Sequence, residues 1–242
     1  MKNLIYLFLF SVPFIFSCNN DDWNIDIEPF IIDNYRDDAQ SLYFQEILRD
    51  STTHPNYNNI NLDEGEIEKI LKIIQAVYNL DIPEKDTVFN VYDIIARPCY
   101  SFNSINLQVD TGAAEIKNLV QGNRPTGSTA FDDILETYSF DSVRTSFSFP
   151  NFPWLNLSST TREYNMLPFV DKFNQIQSIT YTELSAGCFT DGNRITLDRN
   201  SDSATITFGV GFGDCPSGCF YHINWEFEVE DGIAKFVRRF VD

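Results

Sequence analysis

Histidine is nearly absent from this chain: His54 and His222 are the only two in 242 residues. Imidazole is the most frequent general base and the usual partner of a nucleophilic Ser or Cys, so two isolated copies leave little for that chemistry. No Gly-x-Ser-x-Gly elbow occurs, so a serine-hydrolase triad has no local signature. Cations are scarce as well. Seventeen Lys and Arg stand against 35 Asp and Glu, a formal net charge of −18. Phosphate backbones need a cationic face, which excludes nucleic acid as a partner. The same imbalance repels an anionic headgroup surface, so charge would not hold this chain on a membrane. No internal repeat is present, and the sequence nominates no catalytic residue, no metal site and no cofactor.

One long apolar run exists, at the start. Lys2 is followed by a hydrophobic stretch over residues 4–16, interrupted by Ser11 and Pro13. It is shorter than the roughly 20 residues a bilayer span needs, so it reads as a cleaved leader. The run ends in Ile15-Phe16-Ser17-Cys18, which resembles the lipobox of bacterial lipoproteins. The resemblance implies that residues 1–17 are a signal peptide and that Cys18 is lipidated, its sulfur carrying a diacylglycerol and its new amino terminus acylated. Each buried methylene contributes about 0.8 kcal/mol, so two or more chains anchor stably. Asn19-Asn20-Asp21-Asp22 looks like the acidic export signal of Bacteroidota surface lipoproteins. The implied partner is the outer membrane, through the lipid, with the folded part on the cell surface.

Five cysteines minus Cys18 leave Cys99, Cys188, Cys215 and Cys219. An even number outside the cytosol points to two disulfides, with three pairings open. Cys215–Cys219 is favoured because Pro216-Ser217-Gly218 between them is turn chemistry. So small a ring stabilises by about 2 kcal/mol on the loop-entropy model. Cys99–Cys188 would then close a loop of about 90 residues, contributing roughly 4 to 5 kcal/mol. The competing reading of Cys215-x-x-x-Cys219-x-x-His222 is a zinc-type ligand set, which lacks an evident fourth ligand.

Hydrophobic periodicity organises the rest. Residues 18–33 are acidic and aperiodic and read as a tether. Helical spacing covers residues 36–50 and, most clearly, 62–80, where Asp63, Glu64 and Glu66 suit a helix N-terminus. Strands are expected over 88–95, 105–109 and 143–149, and short helices over 113–120 and 130–138. An aromatic, Pro-rich connector is expected over 149–157, and a helix or loop over 166–176. Five strands follow, over 178–184, 194–197, 204–212, 221–230 and 234–240, separated by short turns as in an antiparallel meander. The expected fold is α+β, with a helical N-terminal part (34–174) and an antiparallel β-meander C-terminal part (175–242).

Three surfaces are candidates. On the strand over 221–230, alternation puts His222, Asn224, Glu226 and Glu228 on one side, with Thr205 and Thr207 joining them from the preceding strand. Such a polar platform suits a glycan or an envelope protein, or it is the solvated face of a one-sided sheet. Glu226 and Glu228 lie roughly 7 Å apart along a strand, a spacing a glycosidase could use. Asp198-Arg199-Asn200-Ser201-Asp202 echoes half of a calcium loop, but lacks its Gly and closing Glu and reads better as a hairpin turn. Phe149-Pro150-Asn151-Phe152-Pro153-Trp154 offers rings that stack on sugars or pack as a hinge.

Gly187-Cys188-Phe189-Thr190-Asp191-Gly192-Asn193, then Gly213-Asp214-Cys215-Pro216-Ser217-Gly218-Cys219 and an aromatic strand through Trp225, resemble a module of secreted Bacteroidota proteins of unassigned function. The stretches His54-Pro55-Asn56-Tyr57-Asn58 and Val77-Tyr78-Asn79 look like the N-terminal part of the same group. The resemblance implies kinship and carries no activity. The expectation is an envelope lipoprotein that binds or scaffolds; the alternatives are a polysaccharide hydrolase and a protease inhibitor presenting the Cys215–Cys219 loop.

Overall fold

The computed structural model describes residues 23–96, 99–146, 153–187, 192–200, 203–215 and 218–242. Helix α1 runs Pro29–Asp50, with Pro29 in its first turn, where a missing N–H costs nothing. It begins inside the expected tether. Trp23, Ile25 and Ile27 already pack on the core before it starts. Buried side chains occur all round α1: Ile31, Tyr35, Ala39, Leu42, Tyr43 and Phe44 among the apolar ones, Asp38, Gln40 and Glu46 among the polar. A helix enclosed on several sides shows no single apolar stripe, which is why periodicity alone finds only part of it.

Helix α2, Glu64–Tyr78, is capped by Asp63, whose Oδ1 accepts the N–H of Gly65 at 3.0 Å and of Glu66 at 3.3 Å. Helix α3, Pro83–Asp86, continues into a π turn, Thr87–Val91. The strand expected over 88–95 is therefore replaced. Residues 88–91 are helical, since Pro83 opens a helix and the Thr87 hydroxyl donates back to the Pro83 carbonyl at 2.8 Å, and residues 92–95 form neither helix nor strand. Val88 and Phe89 are consecutive and both buried, which an alternating strand would not allow.

Strand β1, Tyr100–Val109, leads into helices α4, Ala114–Val120, and α5, Thr129–Thr137. Strands β2, Phe140–Ser146, and β3, Trp154–Ser159, and helix α6, Leu167–Asn174, come next. They are followed by β4, Ile179–Ala186, β5, Arg194–Arg199, β6, Ser203–Phe212, β7, Tyr221–Glu230, and β8, Ile233–Val241. The strands form two antiparallel sheets, ordered β2-β3-β1-β4 and β5-β6-β7-β8. The fold is α+β, with most helices early and most strands late.

Two further sequence expectations are corrected. The meander comprises β5 to β8 only, because β4 leaves it to pair with β1. The described part of the expected connector is strand β3, whose Leu155 and Leu157 alternate inward against polar neighbours.

Each sheet has one covered face. Ile206, Phe208, Trp225, Phe227 and Val229 pack with α1 and α2. Ile105, Leu107, Leu155 and Leu157 pack with apolar residues of α4, α5 and α6. Leu184 on β4 touches both cores. The β7–β8 turn, Asp231-Gly232, takes positive φ at both residues (50° and 75°), the geometry of a two-residue hairpin. Ile25 lies against this turn: a Cβ on Gly232 would come within 3.0 Å of its Cδ1.

Candidate functional site

The register of β6 and β7 brings the six expected face residues together. Thr205 lies opposite Glu228, Thr207 opposite Glu226, Gly209 opposite Asn224 and Gly211 opposite His222. The acids on this face are engaged by cations of β8. Arg238 donates to both carboxylate oxygens of Glu226 at 2.9 Å, and Lys235 Nζ lies 2.6 Å from Glu228 Oε2. Each carboxylate raises the pKa of the cation that binds it.

Asn224 is fully buried on the same face. Arg194 Nη2 donates to Asn224 Oδ1 at 2.9 Å, and Asn224 Nδ2 donates to Asp242 Oδ1 at 3.1 Å. Arg194 also binds both Asp242 oxygens, at 2.7 and 2.6 Å, and holds that carboxyl below the usual carboxylate range. His222 Nδ1 stands 3.9 Å from Asp242 Oδ1. Partial burial, and then the Arg194 guanidinium, lower the His222 pKa, which the carboxylate of Asp242 opposes without reversing.

Cys215 and Cys219 are joined in a disulfide, so no thiolate pair exists there to hold a metal beside His222. The bridge lies on glycine backbone: a Cβ at Gly192 would come within 2.6 Å of both sulfurs. Gly192 also has φ +93°, a conformation that L side chains rarely adopt. Cys99 is disulfide-bonded too, while Cys18 and Cys188 lie outside the described residues. Among the described residues no group of three or more His, Cys, Asp or Glu could hold a metal ion.

Of the calcium-loop echo, Arg199 turns to the helices, and Asn200 Oδ1 accepts the Ser203 N–H at 3.0 Å as in a hairpin turn. Ser201 and Asp202 lie outside the described residues. Arg199 makes a junction no local motif announces. Its Nε and Nη2 bind Glu46 at 2.8 and 2.7 Å, and Nη2 also binds Glu66 at 2.7 Å. Burial opposes the charge on Glu66, but Lys69 and Arg199 outweigh it and hold the carboxyl below its usual value.

A second face was not legible in the sequence: the outer side of the sheet β2-β3-β1-β4. Its strands bring side chains into cross-strand rows. Trp154, Gln108 and Tyr181 form one row, and Arg144, Asn156, Asn106 and Glu183 the next. Ser142, Ser158 and Ser104 form a third. Of the expected aromatic connector, residues 149–152 lie outside the described set, but Trp154 is on this face, its ring 6.1 Å from that of Tyr181 at 82°. The available signal was the alternation of Trp154, Asn156 and Ser158 with Leu155 and Leu157, obscured by the prolines before it.

Compared with protein-family models, curated proteins and solved structures, the chain finds no match. No described helix is long and apolar enough to cross a membrane.

Proposed function

We propose that the protein is a lipid-anchored cell-envelope component that binds its partner without chemical turnover, displayed at the outer membrane surface. The observation that carries the reading is the engagement of Glu226 by Arg238 and of Glu228 by Lys235. A glycosidase needs two carboxyl groups free to meet the glycosidic oxygen and the sugar or a water. Both oxygens of Glu226 are taken by Arg238, and Glu228 is held by Lys235. Lipidation at Cys18 places the anchor five residues before Trp23, a reach of about 17 Å at most. The folded body then stands close to the bilayer, with the β7–β8 turn near the anchored end.

The test has two arms. Cys18→Ala should move the protein from the membrane fraction to the soluble one, and retention in the membrane would refute the anchor. Glu226→Gln and Glu228→Gln, incubated with soluble polysaccharides, should match the parent in reducing ends released, at background. Release by the parent that disappears in either variant would make this an enzyme.

A further inference from the structure

We infer that the outer face of the sheet β2-β3-β1-β4 is a binding site for a neutral polysaccharide chain. The inference rests on the binding reading above and assigns the ligand class. Three features carry it together.

The first is hydrogen-bonding capacity held in place by neutral groups. Asn156 Nδ2 donates to Asn106 Oδ1 at 2.9 Å. This bond orients both amides, and the Asn106 Nδ2 donor and the Asn156 Oδ1 acceptor take no part in it. Sugar hydroxyls both donate and accept, and an oriented pair of amides offers both kinds of group. Thr180 Oγ1 lies within donating reach of the Gln108 carbonyl at 3.1 Å and of the Gln108 Oε1 at 3.3 Å, one row away.

The second is the aromatic ledge. Trp154 and Tyr181 flank Gln108 on the two adjacent strands, and Tyr181 is 51% exposed. Aromatic faces stack on the apolar C–H faces of sugar rings while the polar rim stays hydrated. Ledge and amide row are successive rows of one sheet, so a chain lying along β1 meets both.

The third is charge. In a chain of net charge −18, the described rows of this face carry one cation, Arg144, and one anion, Glu183, on opposite edge strands. Neither makes an ion pair among the described residues. The face is locally neutral, and the surrounding negative field repels polyanions. The outer face of the other sheet differs, since Glu226, Glu228 and Asp242 there are already joined to Arg238, Lys235 and Arg194 in ion pairs.

Native affinity electrophoresis tests this with the whole protein, whose negative charge carries it into the gel. Gels are cast with mixed-linkage β-glucan, xylan, galactomannan or dextran, and with polygalacturonate as the anionic comparison. At least one neutral polymer should retard the protein. Tyr181→Ala should weaken retardation about tenfold, as expected for loss of one stacking ring. Tyr181→Phe should keep it, and Glu136→Gln on the exposed side of α5 should leave it unchanged. The inference is overturned if no neutral polymer retards the protein, if polygalacturonate alone does, or if Tyr181→Ala is retarded as strongly as the parent. Reducing ends are measured in parallel. Their release would sink the non-catalytic reading while a Tyr181 dependence kept the site; absent retardation without release would sink the site alone.

Discussion

Replacing Arg199 with Met should be among the most destabilising single changes at a polar position in this protein. Arg199 joins β5 to α1 through Glu46 and to α2 through Glu66. Its side chain is 15% exposed, that of Glu46 9% and that of Glu66 27%. Glu66 retains Lys69 at 2.9 Å, so it is not stranded. Glu46 is held by Arg199 and would become an uncompensated carboxylate at a helix–sheet contact. Breaking a buried pair by removing one member costs about 3 to 5 kcal/mol. The low end applies here, because Glu46 sits near the rim of the core. For a chain of this size, about 3 kcal/mol lowers Tm by roughly 6 to 12 °C. The double variant Arg199→Met, Glu46→Leu should recover most of that loss, since it removes the stranded charge and fills its place with apolar volume. Urea denaturation followed by tryptophan fluorescence measures both. A single variant within about 1 kcal/mol of the parent, or a double variant less stable than the single, would refute the reasoning.

Three further changes probe the same account. Glu66 has a folded pKa below its ordinary value of 4.5, so it stabilises the fold above that pH and its contribution is lost as pH falls through the depressed folded value. Glu66→Gln should therefore flatten the acid limb of stability below pH 4.5, and an unchanged limb in a urea series across pH would count against it. Gly192→Ala should cost more than removing both Cys215 and Cys219, about 2 kcal/mol on the loop model, because it adds φ strain and a clash with the bridge; equal losses would contradict that packing. Ile31→Ala, at a fully buried position near the start of α1, should cost about 2 to 5 kcal/mol, whereas no loss in thermal denaturation would restore residues 18–33 as a tether.

The sequence was legible where one physical signal acted alone. β7 occupies the expected residues because strict alternation meets a one-sided sheet, and α2 lies within its expected range because Asp63 caps a single apolar stripe. It was partly legible where burial came from several directions, as along α1, whose first turns lie outside the expected helix over 36–50, and misleading where a helical turn carried strand-favouring residues, as at Val88 and Phe89. The six residues of the expected face come to facing positions of β6 and β7, as period two places them. The pairing of Glu226 with Arg238 and of Glu228 with Lys235 depended on the register of β8, including a shift between Glu226 and Phe227 that local pattern does not encode. The amide and aromatic rows of the first sheet draw on four strands spread over residues 100–186, with β1 central though first in the chain. Strand order of that kind follows from packing the whole chain.

The proposed role depends first on where the folded body is held, and the native amino terminus tests that directly. Mass spectrometry of the N-terminal peptide should find a chain that begins at Cys18, with diacylglycerol on sulfur and a further acyl group on nitrogen. A peptide that begins at Met1 or carries a free Cys18 thiol would contradict the anchor and the surface display built on it.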